Sequence, residues 1–141
     1  MDTLIPADQD PGAREAGVVN YIDRHLMKKF RKHQPAYRAA LAALDSMSRE
    51  AGAKDFASLP VETRASLLAA MEEGKAGPGL FPDGGKAAFN LVLDHTMQGF
   101  YGSPRHGGNK DYASWRMIGV PPMPVRGRQH YDVKDTYPER S

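Results

Sequence analysis

A chain of 141 residues can bury one core, but 40% apolar content with 14 glycines and 11 prolines is a little lean for a wholly self-sufficient globule. The formal net charge of +2 gives no general reason to expect nucleic acid, and the absence of cysteine excludes thiolate clusters, disulfides, haem held through Cys-x-x-Cys-His and cysteine nucleophiles. No apolar run approaches the ~20 residues needed to span a bilayer, and Met1-Asp2 leads into patterned sequence with no visible leader.

Asp10-Pro11-Gly12 predicts the opening of a first helix, with Asp10 capping free amides and Pro11 at the first helical position. Val18, Val19, Ile22, Leu26 and Phe30 then recur three or four residues apart and predict one apolar stripe. Lys28-Lys29-Phe30-Arg31-Lys32-His33 closes that helix. This basic run reads as a solvated helix end whose cations suit the C-terminal dipole; a phosphate-binding or lipid-facing patch is the alternative. Gln34-Pro35 opens a second helix with Tyr37, Leu41, Leu44 and Met47 inward and Gly52 as its stop. Pro60 opens a third, with Val61, Ala65, Leu68 and Met71 on its inner face, and Gly-Lys-Ala-Gly-Pro-Gly at 74–79 breaks it off. A fourth runs from near Asp83 to about Tyr101 on Ala88, Phe89, Val92, Leu93, Met97 and Phe100.

Nothing alternates with period two for long enough to predict a strand. The fold expected is all-α: a compact bundle of about four helices, a long irregular Gly/Pro-rich C-terminal region and an extended tail. Residues 1–119 make the helical domain with its C-terminal loop, and residues 120–141 the proline-containing tail. A short helical turn through Tyr112 to Met117, capped by Asn109, is expected inside the loop. The tail carries Val120, Met123, Val125, Tyr131, Val133 and Tyr137, which suggests docking on a surface.

The five histidines include no pair at the i, i+3 or i, i+4 spacing of a helical metal site, so His95 reads as a structural hydrogen-bonder. Ser103 and Ser114 lack the strand, sharp turn and helix of a nucleophile elbow. Gly107-Gly108-Asn109-Lys110 resembles a phosphate cradle only weakly and reads as a tight turn with positive φ at glycine. No catalytic, cofactor-binding or metal-binding set is expected. Between His95 and Gly119, Phe100, Tyr101, Tyr112 and Trp115 sit with Arg105, Asn109 and Arg116. Aromatics and arginine concentrated in one loop have the composition of an interface hot spot. A loop that folds over and caps its own bundle would have it too, and the residues alone leave both open.

DHTMQGFYGSPRHGGNKD at 94–111, followed by SWRMIG at 114–119, resembles the signature of the gluconate 2-dehydrogenase small (gamma) subunit family. LIPAD at 4–8, GAREAG at 12–17 and YID at 21–23 are similar to that family's N-terminal pattern. The resemblance implies a non-catalytic small subunit of a sugar or sugar-acid dehydrogenase complex, not an enzyme by itself. It implies a large partner flavoprotein of the glucose-methanol-choline (GMC) type, with FAD held by that partner and not by this chain. Electrons would pass to a cytochrome c subunit or another acceptor. The small subunit would stabilise the flavoprotein and help its twin-arginine export to the periplasm, with its own leader removed from, or absent in, the sequence. It would contact the membrane only indirectly and nucleic acid not at all. The residues expected to bind the partner are Phe100, Tyr101, Pro104, Arg105, His106, Asn109, Trp115 and Arg116 in the loop, with Tyr131 and Tyr137 in the tail. The competing readings are a free-standing helical enzyme using His95 and His106, and a free-standing basic module that binds nucleic acid or anionic lipid through the run from Lys28 to His33.

Overall fold

The computed structural model describes residues 1–120. It is all-helical, with α1 (Val18–Leu26), α2 (Gln34–Glu50), α3 (Val61–Glu72), α4 (Lys86–Tyr101) and α5 (Ala113–Met117), and no strand among the described residues. Short 3-10 turns at Arg31–His33, Phe56–Ser58, Pro104–His106 and Lys110–Tyr112 punctuate the connections. Among the described residues no helix is long and apolar enough to cross a membrane.

Helix starts set by local chemistry fall where the sequence puts them. Pro35 stands in the first turn of α2 and Pro60 at the N-cap of α3, where a missing N–H costs nothing. The Asp83 carboxylate accepts from Gly85 N (3.1 Å) and Ala87 N (2.7 Å) just ahead of α4, a cap of the ordinary kind. Asp55 does the same for the turn at Phe56–Ser58, accepting from Ser58 N at 2.9 Å and Ser58 Oγ at 2.7 Å. Gly52, with φ +83°, follows the end of α2.

The first helix departs from expectation. Asp10 caps nothing: its own N–H donates to Asp8 Oδ1 at 2.8 Å, and the helix begins only at Val18. Gly17 adopts φ +65° immediately before it, a left-handed conformation that breaks any helix arriving from Pro11. The other end is also shorter. Phe30 N donates to His25 O at 2.7 Å across a turn, so the basic run lies in that turn and in Arg31–His33 rather than in the last turn of α1.

The apolar stripes are partly rotated from those predicted. In α2 the buried positions are Tyr37, Ala40, Ala43, Met47 and Ser48, while Leu41 is exposed. Apolar residues surround α3 on several sides, so spacing alone could not choose its inner face: Val61 and Ala65 are exposed, and Met71 is its buried residue. In α4, Phe89, His95, Thr96 and Phe100 are buried and Met97 is exposed.

The chain divides into two compact units. Among the described residues, unit 1 joins 1–22 to 96–120, and unit 2 spans 23–95. Ala13, Ala16, Val18, Tyr21, Ile22, Phe100 and Ala113 are the buried apolar residues of unit 1. Phe30, Tyr37, Ala40, Ala43, Met47, Leu59, Met71, Ala76 and Phe89 are those of unit 2.

Candidate functional site

The loop that follows α4 is built around a helix end. A helix leaves its last carbonyls without intrahelical donors, and buried ones must find partners elsewhere. Here three successive carbonyls receive side-chain donors from farther along the chain. Ser114 Oγ donates to Phe100 O, Trp115 Nε1 to Tyr101 O (2.8 Å) and Asn109 Nδ2 to Gly102 O (2.9 Å). Asn109 also accepts from Ser114 N at 2.9 Å, so one amide ties the end of α4 to the start of α5.

Close backbone approach makes this geometry possible. A Cβ built on Gly108 would stand 2.1 Å from Gly99 O, so only glycine lets the loop lie against α4. Gly107 supplies a positive φ of 105°, and the bend continues through Asn109, Asp111 and Tyr112, all left-handed at φ 47°, 54° and 59°. Three non-glycine residues out of four successive ones, 109–112, in that region represent stored strain, held by the bonds above and by Lys110 N donating to Ala16 O at 2.9 Å. Arg116 Nε donates to Asp111 O at 2.8 Å across the same bend.

These contacts divide the expected partner-binding residues. Phe100 and Asn109 are buried inside unit 1, and Phe100 meets the Tyr101 ring edge-on at 4.9 Å. Their side chains hold the loop from within. Trp115 is half-buried, with its N–H directed to α4 and its ring 5.8 Å from that of Tyr112. Pro104 and Arg116 are half-buried too. Tyr101, Arg105 and His106 are exposed, and Arg105 Nε donates to His106 Nε2 at 3.1 Å. Tyr131 and Tyr137 lie outside the described residues.

Unit 1 also exposes apolar side chains that spacing did not single out as surface residues. Met97 stands one turn before Tyr101 on α4, and Met117 and Ile118 close α5; these four are 41%, 37%, 38% and 53% exposed. Met97 was expected in the core. Its exposure beside a tyrosine could not be read from periodicity, because the α4 stripe is wide enough to admit it on either side.

Two amides of the glycine turn are engaged within the chain. Gly107 N donates to Pro104 O and Lys110 N to Ala16 O, so those amides already have carbonyl partners. With no strand among the described residues, the strand–glycine turn–helix arrangement that holds a dinucleotide is not present there.

Unit 2 holds a separate cluster of rings. Tyr37 Oη lies 2.9 Å from His95 Nδ1. Phe30 stacks on the His95 ring at 3.7 Å and 3°, and His33 meets it edge-on at 5.4 Å. Burial, helped by the nearby His33, holds His95 below its ordinary value, and burial pushes the Tyr37 hydroxyl up to about 12. Both groups therefore stay neutral near pH 7. Among the described residues no three His, Cys, Asp or Glu side chains converge to hold a metal ion. His95 is thus a hydrogen-bonded, stacked core residue of this unit, and His106 is on the other unit.

A family model described as gluconate 2-dehydrogenase subunit 3 matches residues 1–122, which include the whole of the loop built on Phe100, Asn109 and Trp115. No curated protein and no solved structure matches the chain.

Proposed function

The chain belongs to the gluconate 2-dehydrogenase subunit 3 family, and from that premise we propose that it is the non-catalytic small subunit of a FAD-dependent, GMC-type sugar or sugar-acid dehydrogenase. The observation that carries this reading is the match over residues 1–122. The large partner holds the FAD and oxidises the alcohol carbon, and the electrons pass to a cytochrome c subunit or another acceptor. The small subunit acts by binding the folded flavoprotein and not its unfolded form. Such binding stabilises a partner by mass action, by about 2.7 kcal/mol when the free subunit stands at 100 times its Kd. Export of the joined pair places both in the periplasm.

The face of unit 1 supports this role. Met97, Tyr101, Met117 and Ile118 expose apolar surface on this unit, and Arg105 and His106 of the same loop are exposed too. Aromatic, methionine and arginine side chains are enriched in the centres of protein interfaces. The bonds beneath them keep the face preformed, which lowers the entropy lost on docking.

The test is coexpression with the large subunit and capture through a tag on the small one. A yellow, FAD-containing partner should copurify and lose stability when the small subunit is omitted. Recovery of the small chain alone, with the flavoprotein equally stable in its absence, would overturn the proposal. So would sugar dehydrogenase activity that persists after every other polypeptide has been removed. Cell fractionation checks the location, and recovery of the complex only from the cytosol would count against export.

A further inference from the structure

A second exposed surface, on unit 2, carries none of the residues assigned above to partner binding. Residues 24–44 include Arg24, Lys28, Lys29, Arg31, Lys32 and Arg38 and no Asp or Glu, although the whole chain is only +2. All six cations are exposed. Arg24, Lys28, Arg31, Lys32 and Arg38 make no ion pair among the described residues, where such pairs involve Arg14, Lys75 and Lys110. Lys29 sits over the Phe30 ring at 4.7 Å.

The fold brings two of these cations, Arg31 and Arg38, beside apolar groups. An open cleft of about 550 Å³ between the end of α1 and the start of α2 is lined by Asp23, Met27, Arg31, Gln34, Arg38 and Leu41, among others. Gln34 Nε2 donates to Leu26 O at 2.9 Å and fixes the turn that carries Met27. Met27 is 70% exposed and Leu41 59%. Two exposed apolar side chains thus line the cleft together with Arg31 and Arg38, and Asp23 is the carboxylate among its lining residues.

The chemistry selects among anionic partners. Single-stranded nucleic acid is held by cations interleaved with exposed rings on which bases stack, but Phe30 is buried, and Tyr37, although it lines the cleft, is only 8% exposed and offers a base no open ring face. A lipid surface asks for a different set: cations for the headgroup phosphates and protruding apolar side chains for the acyl boundary. Met27 and Leu41 with Arg31 and Arg38 provide that set. We propose that this surface of unit 2 docks directly on an anionic phospholipid bilayer. Membrane contact is then a property of this chain itself, in addition to any contact made through its partners. The proposal does not rest on the subunit assignment, because a vesicle needs no flavoprotein.

The experiment is flotation of the full chain with vesicles. Vesicles of equal parts phosphatidylglycerol and phosphatidylcholine should carry it at low salt, and vesicles of phosphatidylcholine alone should not. Binding should fall steeply as salt rises. Arg31→Gln with Arg38→Gln should lower the partition coefficient roughly thirty-fold. Met27→Ser with Leu41→Ser should lower it about tenfold. All four residues are exposed or protrude from a turn, and a circular dichroism spectrum matching that of the parent confirms that each variant is folded. Equal binding to both kinds of vesicle, or parental binding by the Arg31→Gln, Arg38→Gln variant, would overturn the proposal. So would binding to a single-stranded oligonucleotide with none to vesicles.

Discussion

Asn109 has no exposed surface and a φ of 47°, and both ends of its amide are bonded within unit 1. Asn109→Ala would leave Gly102 O without its side-chain donor and Ser114 N without its acceptor, and it would put a residue less tolerant of the left-handed region at that bend. Each unmade buried bond costs about 1–3 kcal/mol, so we expect a loss of about 2–4 kcal/mol, read as a lower urea midpoint. A loss under about 1 kcal/mol, within the range of ordinary surface substitutions, would show that the bridge does not hold the loop. The pair Tyr37 and His95 sets a different dependence, on pH. Below the ordinary histidine value of about 6.5 the unfolded chain takes up a proton that buried His95 resists, so stability falls as pH drops through that range. Above about 10 the unfolded chain releases a tyrosine proton that Tyr37 keeps until about 12, so stability falls again as pH rises. Urea melts across pH should show both limbs, with the acid limb shallower in His95→Gln and the alkaline limb shallower in Tyr37→Phe. Unchanged limbs in both variants would assign the pH dependence to other groups.

At the scale of elements, α1 and α4 meet within unit 1 at a glycine. A Cβ on Gly99 would lie 2.9 Å from Tyr21 Cδ1 and 3.1 Å from Val18 Cγ1, both buried side chains of α1. Alanine is the better helix former by about 1 kcal/mol, yet crowding a packed contact costs about 1–3 kcal/mol. Gly99→Ala should therefore lower the melting temperature, and a rise would show that the contact can relax. The elements differ in how far the sequence revealed them. Pro35, Pro60 and Asp83 announce α2, α3 and α4 because capping is chemistry between near neighbours. The start of α1 was misplaced because what sets it is the left-handed Gly17 together with Ala13 N donating to Ile5 O at 2.9 Å, and Asp10-Pro11 looks the same whether or not that bond forms. The His95 partner was illegible for a related reason: Tyr37 is 58 residues away. The loop was legible as a site rich in aromatics and arginine, but not in its inner and outer sides. Asn109 and Ser114 turn inward only because the carbonyls of Gly102 and Phe100 are there to receive them.

At the scale of the molecule, the proposed role separates variants that unfold the loop from variants that spoil its outer face. Trp115→Ala is a poor probe of binding alone, since the indole N–H also serves Tyr101 O. Met97 and Tyr101 are better ones: both side chains are exposed, and they stand four residues apart on α4, on one face of that helix. If this face docks on the flavoprotein, Met97→Ser and Tyr101→Ala should each weaken the complex by about 1–2 kcal/mol, as truncations near an interface centre do. That corresponds to roughly a five- to thirtyfold rise in Kd. The melting temperature of the free chain should stay within a degree or two for Met97→Ser and fall somewhat further for Tyr101→Ala, whose ring also meets the buried Phe100 edge-on. Removal of residues 120–141, which carry Tyr131 and Tyr137, gives an independent arm: the complex should weaken while the helical circular dichroism signal of the remaining chain persists. Titration of the purified flavoprotein with each variant reads all three. Parental affinity in both point variants together with a weakened truncation would place the docking contacts on the C-terminal segment and take the Met97 and Tyr101 face out of the interface.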